Sequence, residues 1–270
     1  MNLNKNQTVL DIAKNITNSD FLAPYYNAHD TTQSNETRTK CSTCNLSVKY
    51  YCYQCYKNIG EYQHLVPKLR LPLPLTIIKH PKELNSKSTG IHAKILATED
   101  TEVINFPVDE NQFDNPEECL LLFPSATATS IKDLKMEDNE MEIPYKRIVV
   151  IEGTWTQAKK IIKSSPSLTK MKAIKLDNNY STIFWRYQQY DSSYLATIEA
   201  IYLIYFELIK KYKIQGNVDN LLFYYQFFYN LIQNYYNEPL VKEKVKYCHR
   251  HVKNYIKDKK LEENSKEEEE

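Results

Sequence analysis

The chain has 270 residues, 42% of them hydrophobic, enough for one large domain or for a domain with a small module attached. A formal net charge of +1 excludes a polyanion partner selected by global charge, so a nucleic-acid surface has to be a local patch. No run approaches the roughly 20 apolar residues of a membrane span, and the polar, Asn-rich N-terminus has no apolar signal core, so a soluble intracellular protein is expected.

Residues 1–39 read as a weakly ordered N-terminal segment with a short helix near 11–21. A cysteine module follows over 40–60. Its two C-x-x-C pairs, Cys41/Cys44 and Cys52/Cys55, are separated by seven residues and flanked by Tyr50, Tyr51, Tyr53 and Tyr56. Two such knuckles bring four thiolates within tetrahedral reach of one Zn²⁺. That reading outweighs four reduced, unmetallated thiols. Four protein ligands leave no open position, so the metal is structural. Cys119 and Cys248 have no sequence partners and read as small buried hydrophobes.

The main domain is expected over 61–240. Apolar runs predict strands over 75–78, 120–123, 148–151 and 171–176, the third rich in β-branched residues as in a strand buried on both faces. Lys79-His80 ends the first strand, and Lys87-Ser88-Thr89-Gly90 follows. This group reads either as a ligand loop or as a structural His with Ser88 and Thr89 capping the next helix. Residues 132–142 read as a charged connector. After the third strand, Glu152 and Gly153 stand at a turn, and Thr154 with Gln157 has the spacing of a capping box. Trp155, Ala158, Ile161 and Ile162 give that helix an apolar face, while Lys159 and Lys163 point elsewhere. A carboxylate at a strand–turn–helix corner suits a ligand in an open α/β sheet; an ordinary corner with a packed Trp fits the spacing equally well.

Phe184-Trp185-Arg186 sets an arginine among aromatics, for a phosphate, a base or a cation–π contact. Two long helices are expected, over 195–212 and 219–236, the second with Asp219 as N-cap. Within the first, Glu207 has Lys210 and Lys211 one turn on, a solvated arrangement. Glu199 has largely apolar helical neighbours, so a functional or network role with a buried partner is favoured over simple exposure. The Tyr/Phe stripe over 223–229 reads as core. A basic then acidic tail, 241–270, is expected to be solvated. Short strands alternating with helical segments argue for an α/β fold.

With those residues in hand, the chain resembles the DTW-domain family of tRNA-uridine aminocarboxypropyltransferases. The family's Asp-x-Thr-Trp signature stands here as Glu152-Gly153-Thr154-Trp155. His80-Pro81, Lys87-Ser88-Thr89, Leu122-Phe123-Pro124 and Thr197-Ile198-Glu199-Ala200 match its other motifs in order. The Cys knuckles resemble its eukaryotic branch. Glu152 replaces Asp, and Ala196 replaces a Ser.

The resemblance implies a SPOUT-like, possibly knotted, α/β domain with a zinc module, S-adenosylmethionine (SAM) as donor and tRNA as partner. The implied reaction places a 3-amino-3-carboxypropyl group on N3 of a D-loop uridine at about position 20. It implies catalytic roles for Glu152, Thr154, Trp155 and Glu199. SAM contacts are implied for His80, Lys87, Ser88, Thr89, Leu122, Phe123, Pro124, Gly153 and Thr197. Arg186, Lys159, Lys163 and the C-terminal lysines are candidates for RNA phosphates. Glu152 is read as general base or holder of the uridine N3–H, Glu199 as a rival partner for the SAM amino group, and Trp155 as a stacking or packing ring. Residence in the nucleus is implied, with the cytoplasm as alternative. The competing readings are a SAM-dependent RNA methyltransferase and an inactive zinc-containing RNA-binding protein.

Overall fold

The computed structural model describes residues 7–13, 19–28, 38–136, 142–176, 180–185 and 193–237. Arg186, the tail over 241–270 and part of the connector over 132–142 lie outside the described residues. Among the described residues no helix is long and apolar enough to cross a membrane.

The N-terminal segment supplies β1 (Gln7–Thr8), α1 (Val9–Ile12) and α2 (Ser19–Ala28). Val9, Ala13, Leu22 and Tyr25 are buried in the main core. Two small antiparallel ribbons follow, β2 (Thr39–Lys40) with β3 (Ser47–Val48) and β4 (Tyr51–Cys52) with β5 (Lys57–Asn58).

The main sheet is six-stranded and parallel, formed by β6 (Leu75–Lys79), β7 (Thr101–Asn105), β8 (Cys119–Leu122), β9 (Thr129–Ser130), β10 (Arg147–Glu152) and β11 (Lys172–Lys175), in the order β7-β6-β10-β8-β11-β9. Parallel neighbours need crossovers, and these put helices against the sheet. The crossover after β6 contains α3 (Ile91–Leu96), and that after β10 contains α4 (Trp155–Lys163) and α5 (Pro166–Lys170). A two-residue strand, β12 (Tyr180–Ser181), pairs with β1. Two longer helices complete the chain, α6 (Thr197–Lys211) and α7 (Phe223–Asn237).

The four expected strands are β6, β8, β10 and β11. They are legible because both faces are covered: every residue of β6 is buried, as is the Ile148–Val150 stretch of β10. The edge strand β7 escapes the sequence reading, because only its first residue, Thr101, is buried and Val103 and Ile104 stand among polar residues.

Three local expectations change. Asp219 does not cap α7; it opens a 3₁₀ turn and accepts the Tyr202 hydroxyl at 2.9 Å. Glu207 accepts the Tyr180 hydroxyl at 2.7 Å, and Lys211 donates to the Lys132 carbonyl at 2.8 Å. Ser88 and Thr89 do not cap α3, whose N-cap is Gly90. The aromatic stripe on α7 is core, with Phe223, Tyr224 and Tyr225 fully buried.

Candidate active site

β10 runs between β6 and β8, while β11 lies on the far side of β8. The carboxyl ends of β8, β10 and β11 therefore open onto a shared crevice, where open α/β sheets bind ligands. A cleft of about 860 Å³ lies there. Leu122, Phe123 and Pro124 line it from β8, Gly153, Trp155 and Lys159 from the β10–α4 corner, and Thr197 from the start of α6. These seven residues, from three separate stretches of the sequence, meet at this cleft. Lys175, Ser193 and Tyr194 also line the cleft; no spacing pattern singled them out, because only the sheet order brings β11 beside β8.

Trp155 is not packed as part of the α4 core. It is 38% exposed, while Ala158 and Ile161 carry the buried face of that helix. Its ring lies 6.0 Å from Phe123 and 5.7 Å from Tyr194, the latter edge-on. The three rings border one cleft and offer a platform for a planar base. The helix starts there because Thr154 Oγ1 accepts Gln157 N–H at 3.3 Å, while the Gln157 side chain accepts Thr154 N–H at 2.8 Å. Gly153 has φ +153°, and a Cβ on it would approach Gln157 Oε1 to 2.8 Å. A side chain at this corner would disturb the cap as well as the backbone.

Glu152 is 4% exposed and is absent from the cleft lining. Its Oε2 accepts the Ser88 hydroxyl at 2.6 Å and its Oε1 accepts Gly90 N–H at 3.1 Å. The carboxylate thereby ties the end of β10 to the loop entering α3. A Cβ at residue 90 would lie 2.5 Å from Glu152 Oε2, so glycine permits this approach. Thr89 Oγ1 accepts Ile198 N–H at 3.3 Å, tying the same loop to the start of α6. His80 donates its N–H to the Glu152 carbonyl, and its ring stacks on Phe106 at 6.4 Å. Lys87 is exposed on the loop, and Lys163 is exposed one turn beyond Lys159.

Glu199 is fully buried and also outside the cleft lining. Its Oε2 accepts from the Thr182 hydroxyl at 2.6 Å and from Ala196 N–H at 2.7 Å, and its Oε1 accepts Ile183 N–H at 3.2 Å. The expected partner of this buried carboxylate is thus a set of protein donors. It caps α6 and fastens the strand-exit loop at 182–183.

Burial pushes the Glu152 carboxyl above its ordinary range, and the donors from Ser88 and Gly90 pull it partly back. Burial raises Glu199 in the same way. A raised folded value means that the native protein holds this proton more tightly than the unfolded chain. The contribution favours folding at low pH and is lost as pH rises from the unfolded carboxyl value through the folded one. Glu152→Gln removes one of the two titrations. Urea midpoints followed from about pH 4 to 8 should therefore fall less steeply in this variant than in the wild type. Equal slopes would contradict this.

A second site lies apart. The sulfurs of Cys41, Cys44, Cys52 and Cys55 all fall within 4.8 Å of one another, and Cys44 Sγ is 3.5 Å from Cys52 Sγ. Zn–S bonds of about 2.3 Å put tetrahedral sulfurs about 3.8 Å apart, so the cluster fits a zinc ion with little movement. The N–H groups of Cys44 and Thr43 lower the Cys41 thiol to about 6, whereas the Cys44 side chain and burial push Cys55 up to about 12. Four crowded thiols resist joint ionisation without a cation. The module braces the domain: Tyr51 OH meets His92 Nε2 at 3.0 Å, Tyr224 OH donates to Asn58 at 2.6 Å, and Asn85 donates to Gln54 at 3.3 Å. Its contacts reach both α3 and the loop before it.

The DTW domain model matches residues 49–233. The chain belongs to the DTW-domain family. The relative named tRNA-uridine aminocarboxypropyltransferase 1 in Homo sapiens is 34% identical, covering 73% of this chain and 78% of its own length. The protein of that name in Xenopus tropicalis is 32% identical over 73% and 80%. That in Mus musculus is 31% identical over 73% and 78%. No solved structure matches the chain.

Position 152 and the helix start at position 196 both connect to the loop before α3. At position 152 the glutamate carboxylate meets the Ser88–Gly90 loop. At position 196 alanine has no side-chain acceptor for the first turn of α6, and Thr89 from another loop takes the Ile198 N–H.

Proposed function

We propose that this chain is a tRNA-uridine aminocarboxypropyltransferase that moves the 3-amino-3-carboxypropyl group of SAM to N3 of a D-loop uridine, with methylthioadenosine as the other product. What carries the reading is its membership of the DTW-domain family together with relatives of that name. The aromatic cleft at the signature corner supports this reading. Its volume lies within the roughly 300–1,000 Å³ of small-molecule sites. We further propose a SPOUT-like relationship for the sheet, a structural zinc in the cysteine module and residence in the nucleus.

The residues fit SAM in kind. Phe123 and Trp155 would take its adenine, Thr197 would offer a hydroxyl, and the N-terminal N–H groups of α4 would receive its carboxylate. Its sulfonium makes the adjoining carbons electrophilic, and attack by uridine N3 at the aminocarboxypropyl γ-carbon forms the N3–C bond as the C–S bond breaks, with methylthioadenosine leaving and the N3 proton passing to solvent. The protein's task is therefore orientation. Glu152 serves it by holding Ser88, Gly90 and the β10 end in one arrangement, and Thr154 by fixing the first turn beneath Trp155. A base role for Glu152 at uridine N3 requires its buried carboxylate, which is outside the cleft lining, to become reachable from the cleft. Glu199 acts from behind, by setting the start of α6 that presents Thr197. His80 and Lys87 belong to the loop that these contacts position.

The test is nucleoside mass spectrometry of unmodified tRNA incubated with the protein and SAM. The expected product is aminocarboxypropyluridine, lost when the D-loop uridine is replaced by cytidine. A methylated nucleoside would replace this reading with a methyltransferase, and unmodified tRNA from folded, zinc-loaded protein would replace it with a binding-only role.

A further inference from the structure

Between Gly153 and Leu176 the sequence carries six lysines, at 159, 160, 163, 170, 172 and 175, and no aspartate or glutamate. The whole chain has a net charge of only +1, so this segment concentrates positive charge that is balanced elsewhere. All six lysines are exposed. Lys159 and Lys175 line the cleft, and among the described residues they are its only charged lining side chains. Lys160 and Lys163 continue along α4, and α5 packs on α4. An ordinary solvated helix face mixes charges of both signs, because like charges one turn apart repel. Glu110 reaches this surface by accepting Ser167 N–H at 3.0 Å, but among the described residues no acidic side chain lines the cleft beside Lys159 and Lys175. A lysine-rich face of this kind suits a polyanion.

The cleft indicates which polyanion. The lysines adjoin the Trp155, Phe123 and Tyr194 rings. Cations beside aromatic platforms are how proteins hold an unpaired nucleic-acid strand, phosphates on one and bases on the other. An acidic peptide would use the lysines alone, whereas a nucleotide can also set its base against Tyr194, the cleft ring not assigned to the SAM adenine.

We infer that the lysine face from the cleft rim along α4 and β11 seats the RNA phosphates flanking the nucleotide that enters the cleft, with Lys159 and Lys175 nearest that nucleotide. The inference rests on the proposed tRNA reaction and specifies how that tRNA is held. Neutralised phosphates release counterions, so affinity should fall steeply with salt.

The experiment measures the affinity of the full-length, zinc-loaded protein for unmodified tRNA between about 50 and 200 mM salt. The variants are Lys175→Gln alone and Lys159→Gln/Lys160→Gln/Lys163→Gln/Lys175→Gln together, with Lys68→Gln/Lys210→Gln as control. The fourfold variant should bind at least about tenfold more weakly at low salt, with its log–log salt slope reduced by about 3, and Lys175→Gln by about 1. The control should match the wild type in tRNA affinity and slope, and its SAM affinity should stay within about twofold. Unchanged slopes in both lysine variants, or no tRNA binding by the wild type, would overturn the inference. If the slopes fall but the wild type modifies no uridine, the surface stands and the proposed reaction fails.

Discussion

Replacing Glu199 by alanine is expected to destabilise the fold by about 3–5 kcal/mol, the range for removing one partner from a buried charged network. The residue is fully buried, and its carboxylate accepts from Thr182, Ile183 and Ala196. Alanine leaves two backbone N–H groups and a hydroxyl without their acceptor in a place that water does not readily reach. Glu199→Gln should cost less, because its carbonyl can keep the Ala196 N–H while its amide faces the Ile183 N–H unfavourably. Urea unfolding of the three proteins measures this order. A loss below about 1 kcal/mol in Glu199→Ala would mean that solvent or rearrangement satisfies these donors. The effect should extend to the cleft, since Thr197 and Ala200 on either side of Glu199 line it.

Disrupting the cysteine cluster should be comparably severe. The cysteine module has only two-residue strands and a small buried cluster of Cys41, Val48 and Cys52. Ribbons this short do not hold themselves in water. Zinc coordination would supply the missing free energy. Metal analysis should find about one zinc per chain, and Cys52→Ser should lose it and destabilise the protein by at least about 3 kcal/mol. The damage should not stay within the module. Tyr51 and Gln54 touch His92 and Asn85, and the segment between those two residues carries the Ser88 and Gly90 donors to Glu152. Hydrogen exchange in the 85–92 segment should therefore accelerate in Cys52→Ser. Full stability without metal would contradict the account of this module.

The sequence made those parts visible whose determinants are local. The double-buried strands announce themselves by unbroken apolar runs, the α4 cap by Thr154 and Gln157, and the cysteine cluster by its spacing. Contacts between distant segments left no such trace. Ser88 meets Glu152 across 64 residues and Thr89 meets Ile198 N–H across 109. Read locally, both hydroxyls look like caps for the adjacent helix. Trp155 occupies a position that fits an apolar helical face, and only the placement of Phe123 and Tyr194 draws it to the cleft rim. Lys175 and Tyr194 join the cleft through sheet order and loop path, neither of which has a residue pattern. Glu199 shows the intermediate case: its apolar neighbours revealed that it needed a partner, and the fold supplied Thr182, Ile183 and Ala196.

The most direct measurement is the identity of the small molecule left when the wild-type protein reacts with SAM and unmodified tRNA, read by mass spectrometry over a single turnover. Attack at the γ-carbon leaves methylthioadenosine, and that product, formed in step with modified uridine, is the expected result. S-adenosylhomocysteine in its place would contradict the account, because the cleft would then be directing the methyl carbon to the nucleotide.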